Sequence, residues 1–569
     1  MKKWRTISKK LFVFSLLFIL VSGTFSLPAF AESITLTESG GWSESAYIKW
    51  KPVDNAVSYN VYVKPASAGD SSYTQIDDML IREYPSYWRA DAVGLTAGQY
   101  IMKVEAILSN GSKESAASDA LFVSAHDRTG FAFSSDSTFG SGSGAYEENG
   151  TLKDGAQVIY ITPDTAKTVT LDVIVNKSGK LQTATGIGEI LSLRQKGYDE
   201  TPLAIRFIGQ TSKNDMSGQL NSNGYLQVKG KSSYAEMNMT LEGIGEDATA
   251  YGWGILVRNC GNVEIRNLGI MLFPDDGISL DTNNCNVWIH NNDIFYGTAG
   301  SDADQAKGDG SADIKKSSTY VTFSYNHFWD SGKSSLCGLS ETKDFFVTYH
   351  HNWFDHSDSR HPRIRLGSIH IYNNYYDGNA KYGVGITSGG SAFVESNYFR
   401  SCKYPMMSSL QGTDALGKGT FSGEDGGIIK AFDNKIENAA SLIYANSDNG
   451  TTDGDPTSFD AYLASKRNET VPGSYKTLSG NTVYNNFDTL KDIGVSASDV
   501  DDVDAVVQVV TSRSGRMNKG DFTWEFDNSV DDTSYSVNSA LMAKIKSYKS
   551  ELVSIGSSNT LTKDLSIRE

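Results

Sequence analysis

A recurring asparagine constrains the fold of this chain more than any other feature. An Asn closes each of six alternating, strand-like segments, and successive copies lie 34, 26, 22, 23 and 37 residues apart. These spacings are typical of one solenoid coil, with loops inserted on one side where they are longer. Asn tolerates the left-handed backbone of a sharp turn, and stacked amides can hydrogen-bond from coil to coil. The six residues are Asn292, Asn326, Asn352, Asn374, Asn397 and Asn434. The repeat predicts an all-β fold, a right-handed parallel β-helix.

The first 31 residues follow the pattern of a secretory signal peptide. Five Lys or Arg residues precede an apolar run from Leu11 to Val21, and small residues end at Ala31. The run is shorter than the ~20 residues needed to span a bilayer. We therefore expect cleavage after Ala31 and a secreted, extracellular chain without a membrane anchor. Losing five positive charges changes the net charge from −16 to −21.

Charge and cysteine content exclude several classes of protein. With 67 Asp and Glu against 51 Lys and Arg, the chain is not expected to bind nucleic acid by neutralising phosphates. Four Cys in 569 residues cannot form a disulfide scaffold. Cys260 and Cys285 either bridge or remain buried thiols, and buried thiols are favoured. An acidic protein that handles an anionic ligand needs a local positive site or a bound cation.

Residues 32–125 differ from the repeat region. Short alternating strands such as Tyr59–Val63 are separated by turn signals such as Asn110-Gly111, which predicts a small antiparallel β-sandwich. The segments around Trp50, Tyr62 and Tyr100 resemble a fibronectin type III module. We expect the sandwich to precede a β-helix domain spanning residues 126–569. Its role is either polysaccharide binding or that of a spacer or packing module, and the second is favoured because fold alone does not define function.

Charged side chains concentrate between residues 275 and 370. Asp309 and Asp313 are four apart, so in an extended segment they project to one face, and Asp276 lies close to one coil earlier. Three carboxylates without a thiolate suit a hard cation with oxygen ligands, for which Ca²⁺ is the extracellular default. Solvated acidic turns are the alternative, and the coil register favours the cation site.

Basic residues and histidines share this region. Lys333, Arg360, Arg363 and Arg365 near a bound cation would form a positive groove for an acidic substrate. A salt-bridged surface is the alternative, and the odd spacing of Arg360 and Arg365 predicts a turn at His361-Pro362. Seven of the eight His also lie here. His350 and His351 with His356 suit either a transition metal or a stack on a coil face, and the stack is favoured.

Several motifs resemble the pectate lyases of polysaccharide lyase family 1. The resemblance covers most of residues 126–450 and implies a parallel β-helix that cleaves de-esterified homogalacturonan by β-elimination with Ca²⁺. By this resemblance Asp276, Asp309 and Asp313 are calcium ligands, with Asp275 an alternative to Asp276. Arg360 is the base at C5, Lys333, Arg363 and Arg365 bind substrate, and Lys333 and Arg365 assist catalysis. The motifs are Val287-Trp288-Ile289, Asp309-Gly310-x-x-Asp313, Val321-Thr322-x-Ser324-Tyr325-Asn326, Lys333, His350-His351-Asn352, Arg360-x-Pro362-Arg363-x-Arg365 and Tyr372-Asn373-Asn374-Tyr375-Tyr376.

The chain departs from the family pattern beside Trp288-Ile289. His290-Asn291 stand where the family usually has Asp-His, a pair thought to be structural, so the departure concerns fold detail more than chemistry. Arginine is a poor base with a pKa above ~12. A base at Arg360 therefore needs cationic neighbours and high pH, which predicts an alkaline optimum.

Three alternatives remain open from the sequence. A polygalacturonase-type hydrolase would use paired carboxylates, and Asp275-Asp276-Gly277 resembles such a pair. A pectin lyase acts on a neutral ester and needs no cation, which the retained Asp309 and Asp313 argue against. A non-catalytic polysaccharide-binding solenoid is the third alternative. We expect an anionic polysaccharide, polygalacturonate or pectin, as the only partner of a monomeric chain.

Overall fold

The computed structural model describes residues 34–415, 421–445 and 458–557. The predicted signal peptide, residues 1–31, lies outside the described residues. Within the described ranges, no helix has both the length and the apolar character needed to cross a membrane.

Residues 36–123 form two antiparallel sheets around their own core. One sheet has the order β1-β2-β6-β5, and the other has the order β4-β3-β7-β8 with β9 beside β7. Trp50 packs against Tyr59 and Trp88 in the core between the sheets. The strands are β1 Leu36–Trp42, β2 Ser45–Trp50, β3 Ala56–Pro65, β4 Thr74–Gln75, β5 Ile81–Glu83, β6 Trp88–Val93, β7 Gly98–Leu108, β8 Lys113–Ala117 and β9 Leu121–Val123. The similarity of this sandwich to fibronectin type III modules stays a prediction, as does a domain boundary at residue 125.

The residues after the sandwich form further strands, most of them short and at coil-like intervals. They are β10 Gln157–Ile161, β11 Thr170–Ile174, β12 Leu181–Thr185, β13 Leu203–Ser212, β14 Tyr225–Lys229, β15 Ala235–Tyr251, β16 Gly254–Arg258, β17 Cys260–Arg266, β18 Gly269–Met271, β19 Ile278–Asp281, β20 Cys285–His290, β21 Asp293–Ile294, β22 Ala312–Lys315, β23 Thr319–Ser324 and β24 His327–Trp329. They continue with β25 Leu336–Cys337, β26 Phe346–His350, β27 Trp353–Asp355, β28 Arg363–Arg365, β29 Ser368–Tyr372, β30 Tyr375–Asp377, β31 Val384–Thr387, β32 Ser391–Glu395, β33 Tyr398–Arg400, β34 Met406–Ser408, β35 Ile428–Phe432, β36 Lys435–Glu437, β37 Tyr462–Leu463 and β38 Ser554–Ile555.

Most of these strands stack in parallel and confirm the predicted all-β, parallel β-helix fold; β11 and β12 form a separate antiparallel pair, and β38 belongs to the sandwich. An 18-stranded sheet runs from β10 to β37, and an eight-stranded sheet has the order β14-β16-β19-β22-β25-β28-β31-β34. Apolar residues stay in register from coil to coil, as in the series Val263, Val287, Val321, Val347 and Ile369. Each of these side chains is buried in one continuous core. The core therefore fixes the position of every strand along the solenoid.

The asparagine ladder is present, with one correction. The side-chain amide of Asn292 donates to Asn326 at 3.0 Å, and the chain of bonds continues in the same way through to Asn434. The left-handed backbone lies at the residue before each ladder Asn, for example Tyr325 (φ 52°) and His351 (φ 53°). The prediction that Asn is selected for its own left-handed conformation was therefore wrong. Its amide is what the ladder uses.

The C-terminal residues run back along the 18-stranded sheet to the sandwich. Ser514 donates to the carbonyl of His351, and buried Arg516 pairs with Asp293 at 2.8 Å. Strand β38 then adds to the sandwich sheet beside β5. The helices are α1 Ile187–Arg194, α2 Gly412–Ala415, α3 Phe487–Leu490, α4 Val506–Arg513, α5 Asn528–Asp531 and α6 Ser539–Ser547. The sandwich sheet thus contains a strand from the far end of the chain.

Buried ion pairs join the sandwich to the β-helix. Arg82 and Arg89 share the buried carboxylate of Asp91, and Arg82 also donates to the carbonyl of Ile244 at 2.8 Å. Arg89 reaches Glu246 of the β-helix at 2.6 Å. A second set of charges surrounds Glu44 of the sandwich, which pairs with Arg128 and Arg266. These contacts support the predicted packing role.

All four cysteines are free and buried, as the sequence favoured for Cys260 and Cys285. The two thiols are not in register, because Cys285 pairs with Gly261.

Candidate active site

The predicted site residues lie where strands of the eight-stranded sheet begin. Backbone hydrogen bonds join Gly277 to Gly310, Ser311 to Lys333 and Ser335 to Arg360 in successive coils. Neighbouring parallel strands are about 4.8 Å apart. The sheet therefore brings the first residues of consecutive coils into one row, and this row carries the predicted acidic and basic side chains.

An acidic cluster occupies the first part of this row. Carboxylate oxygens of Asp275, Asp276 and Asp309 all lie within 4.8 Å of one another. Asp276 is buried, and its carboxylate accepts from Ser279 at 2.7 Å. Burial and the nearby charge of Asp313 raise the pKa of Asp276 to about 6. The cluster therefore has an excess of negative charge.

Asp313 stands beside this cluster rather than within it. The segment from Asp309 to Asp313 is not one extended strand, because it bends at Asp309 and β22 begins only at Ala312. The predicted same-face argument was therefore wrong, although the chain still brings Asp313 near Asp276. The Asp313 carboxylate folds over Gly310, where a Cβ atom would lie 2.4 Å from both of its oxygens. Only glycine leaves room for that carboxylate.

Lys315 is the nearest cation to the buried carboxylates. Its ammonium contacts Asp276 and lies 3.3 Å from Asp313. Burial acts to lower the pKa of Lys315, but the charges of Asp313 and Asp276 raise it overall. Two ammoniums, those of Lys315 and Lys333, face the four carboxylates of the site, so a further cation fits its charge. The all-oxygen donor set suits Ca²⁺.

Lys333 lies one coil beyond Gly310 and is mostly buried. Its ammonium is 3.2 Å from both Asp304 and Asp309. Asp304 belongs to the loop before β22, and partial burial acts to raise its pKa while the hydrogen bond from Lys333 lowers it overall. Lys333 therefore links the acidic cluster to the basic part of the row.

Arg360 is half-buried and has an unusual backbone. Its φ is 64°, in the left-handed region that non-glycine residues seldom adopt. The predicted turn at His361-Pro362 follows it directly. Among the described residues, the guanidinium of Arg360 forms no hydrogen bond or ion pair. The amide of Ser335 donates to the carbonyl of Arg360 at 2.7 Å, so the backbone is fixed here while the guanidinium donors remain available.

Arg363 and Arg365 continue the row along β28 and already have a partner. Arg365 Nε donates to both carboxylate oxygens of Glu424, at 2.8 and 3.0 Å. Arg363 Nη2 reaches Glu424 at 3.4 Å and Ser422 at 3.2 Å. These two arginines therefore differ from Arg360 in having a carboxylate of the protein against them.

The histidines lie in coil-face stacks, as the sequence favoured. His350 stacks on Tyr372 with ring centroids 4.8 Å apart. His356 lies in a different group, with Asp355 and Asp377, so the three histidines considered for a transition metal do not converge. His290 stacks on Trp288 at 3.6 Å. Its ring also contacts Glu264, in the 18-stranded sheet and away from the row.

Three residues near the row were missed by sequence reasoning. Lys315 could have been predicted from the sequence, because alternation along β22 places it on the same face as Asp313. Asp304 lies in a loop and Glu424 follows β34 by a long connection, so neither has a periodic signal. Loops are where binding residues concentrate, but their geometry is not readable from spacing.

Comparisons with known proteins agree with this geometry. A family model described as pectate lyase matches residues 200–446. Pectate lyase 3 of Pectobacterium atrosepticum is 31% identical over 263 residues, which cover 42% of this chain and 68% of that protein. Pectate trisaccharide-lyase of Bacillus licheniformis is 30% identical over 237 residues, covering 41% of this chain and 66% of that protein.

A solved structure is also similar. Pectate lyase Bsp165PelA from Bacillus sp. N165, in complex with trigalacturonate, aligns with 68% of this chain and 99% of its own. The identity is 22% and the TM-score is 0.45.

Proposed function

This chain belongs to the pectate lyase family, and from that premise we propose that it is a secreted, calcium-dependent lyase. Its substrate is de-esterified homogalacturonan, which it cleaves by β-elimination to 4,5-unsaturated oligogalacturonates. The observation that carries the proposal is the row on the eight-stranded sheet, where an acidic cluster, Lys333 and Arg360, which has no partner in the part of the chain that the structure describes, follow one another. Secretion rests on the signal-peptide pattern of residues 1–31.

Asp276 and Asp309 would hold the calcium ion, with Asp275 and Asp313 beside them. The oxygens of Asp275, Asp276 and Asp309 converge, and the carboxylates outnumber the ammoniums of Lys315 and Lys333, which leaves negative charge for a cation to neutralise. When bound, Ca²⁺ supplies positive charge next to the substrate carboxylate, which stabilises an enolate-like transition state.

The basic residues would act on the uronate itself. The hydrogen at C5 is adjacent to a carboxylate whose charge opposes carbanion formation. Lys333 and Arg365 would bind that carboxylate or its neighbours and reduce this opposition. Arg360 would then take the C5 proton, for which it must come within ~2.6–3.2 Å or act through one water. The electrons of the C5–H bond form the C4–C5 double bond as the C4–O4 bond breaks, and the departing O4 takes a proton from solvent. That no carboxylate of the described ranges pairs with Arg360 supports its role as the base, because a base paired with a carboxylate would hold its proton more tightly.

Ultraviolet-monitored digestion of polygalacturonate tests the proposal. Elimination creates a conjugated double bond in the product, whereas hydrolysis does not, so absorbance separates a lyase from a polygalacturonase-type hydrolase. We expect absorbance to rise with calcium present and to stop rising when a chelator is added. Reducing ends without new absorbance would indicate a hydrolase, and neither signal at any pH or calcium level would indicate a binding protein.

A further inference from the structure

Glu424 covers the two arginines of β28 that are predicted to bind substrate carboxylates. Its carboxylate accepts both bonds from Arg365 Nε and lies 3.4 Å from Arg363 Nη2. This is the kind of contact that a uronate carboxylate makes with a guanidinium. A carboxylate of the protein thus takes the place that a substrate carboxylate would take at these arginines.

The burial gradient places Glu424 between the arginines and solvent. The side chain of Glu424 is 37% exposed, against 19% for Arg365 and 16% for Arg363. Arg365 and Glu424 line a groove of about 470 Å³ together with Ser388 and residues 339–342. A ligand that enters this groove therefore meets Glu424 at the arginines.

The backbone that carries Glu424 is anchored, so that only its side chain needs to move. Ser409 donates to the carbonyls of Ser422 and Glu424 at 2.9 and 2.7 Å. Phe421 packs against Tyr382, with ring centroids 4.7 Å apart. These contacts fix the backbone around Glu424 and keep its carboxylate next to the two arginines.

The pairing is reversible because it is partly exposed. Partial burial acts to raise the pKa of Glu424, but the hydrogen bond and charge of Arg365 lower it overall. Glu424 is therefore ionised at neutral pH. Partly exposed ion pairs are weak, so a second carboxylate can replace this one. A neutral methyl ester offers no such competition.

Resting on the proposed function, we propose that Glu424 competes with the substrate carboxylate for Arg365 and Arg363 and so limits the preference for unesterified galacturonate at this subsite. An unesterified residue must displace Glu424 and then lies beside a like charge. A methyl-esterified residue leaves the Glu424–Arg365 pair intact. Glu424 thus weakens binding of polygalacturonate more than binding of partly esterified pectin.

Glu424→Gln tests the competition, because it keeps the size of the side chain and removes its charge. We expect the KM for polygalacturonate to fall about two- to fivefold with little change in kcat, since the lost contact is a partly exposed ion pair. The KM for partly methyl-esterified pectin should change less, so the preference for the unesterified polymer rises. Asp425→Asn is the matched control, because Asp425 is the adjacent carboxylate and contacts Ser479 instead of an arginine.

Two outcomes would overturn the competition. An unchanged or higher KM for polygalacturonate in Glu424→Gln would mean that Glu424 orients the arginines, and an equal change in Asp425→Asn would mean that any local charge has the same effect. Calorimetric titration of trigalacturonate in the presence of a chelator separates this inference from the proposed function. Tighter binding by Glu424→Gln than by wild type supports competition even if no unsaturated product ever forms, and equal binding refutes it.

Discussion

The sandwich–helix interface and the candidate active site both gather charged side chains, but they pair them differently. At the interface each buried guanidinium has a carboxylate, as Arg89 has Asp91 and Arg266 has Glu242. At the site the carboxylates outnumber the two ammoniums beside them, and Arg360 has no ion-pair partner among the described residues.

Paired charges have a structural role in this protein, and unpaired charges have a functional one. A buried charge with a partner fixes geometry, and breaking the pair is costly because the remaining charge stays desolvated. A charge left without a partner in a groove is available to a ligand and marks a functional site. We therefore expect substitutions at the interface to change stability, and substitutions at the site to change activity.

The largest expected effect is at the centre of the interface. Asp91→Asn leaves Arg82 and Arg89 buried without their shared carboxylate, which should lower the free energy of unfolding by about 3–5 kcal/mol. Denaturant unfolding measures the loss. Asp119→Asn is the control, because Asp119 is an exposed carboxylate of the same sandwich without an ion pair among the described residues, and its loss should leave the midpoint unchanged. A reduced kcat in the folded Asp91→Asn variant would contradict the expectation that interface substitutions change stability alone.

A smaller effect is expected at the acidic cluster. Asp309→Ala removes one oxygen ligand and one partner of Lys333. The calcium concentration for half-maximal activity should rise about 10- to 100-fold, with activity partly restored by excess calcium. Asp302→Ala, in an exposed position of the same loop, is the control. A calcium titration that matches wild type would remove Asp309 from the site.

His356 is a paired histidine outside both regions, and its contribution to stability depends on pH. His356 lies between Asp355 and Asp532; burial acts to lower its pKa, but Asp355 and Asp532 raise it to about 10. Because the folded pKa is above the unfolded value of about 6.5, the stabilisation is complete below pH 6.5 and is lost as pH rises towards 10.

His356→Gln should therefore have a free energy of unfolding about 1–2 kcal/mol lower than wild type at pH 6. This difference should disappear near pH 10. Denaturant unfolding at the two pH values measures it. A constant gap would show that His356 contributes by packing on Phe526 rather than by charge.

The fold was more predictable than the site. The asparagine spacing gave the coil length, and apolar residues such as Val287 and Val321 then had to share a register, because a slip would turn the core outward. Lys333 and Arg360 were predicted from motifs, and the same register explains why they lie in consecutive coils. Strand β38 in the sandwich could not be predicted, since nothing local marks a pairing across most of the chain.

Within the site, residues on strands were predictable and residues on loops were not. Asp313 and Lys315 obey the two-residue period of β22. Asp304 and Glu424 reach the row through loop paths that composition does not define. The pairing state of each charge, which distinguishes Arg360 from Arg365, depends on those loops. Which charges are paired depends on tertiary structure and cannot be predicted from the spacing of residues in the sequence.

Arg360→Lys, measured for both kcat and unfolding, tests whether Arg360 is the catalytic base and has no structural ion pair. Lysine keeps the positive charge but moves the nitrogen and loses the planar fork. If Arg360 takes the C5 proton, a displacement of about 1 Å should lower kcat on the order of a hundredfold. Excess calcium should not restore it, and the unfolding midpoint should stay at the wild-type value because no pair is broken. A kcat near wild type from neutral to alkaline pH, or a loss of stability equal to that of an interface variant, would contradict the account.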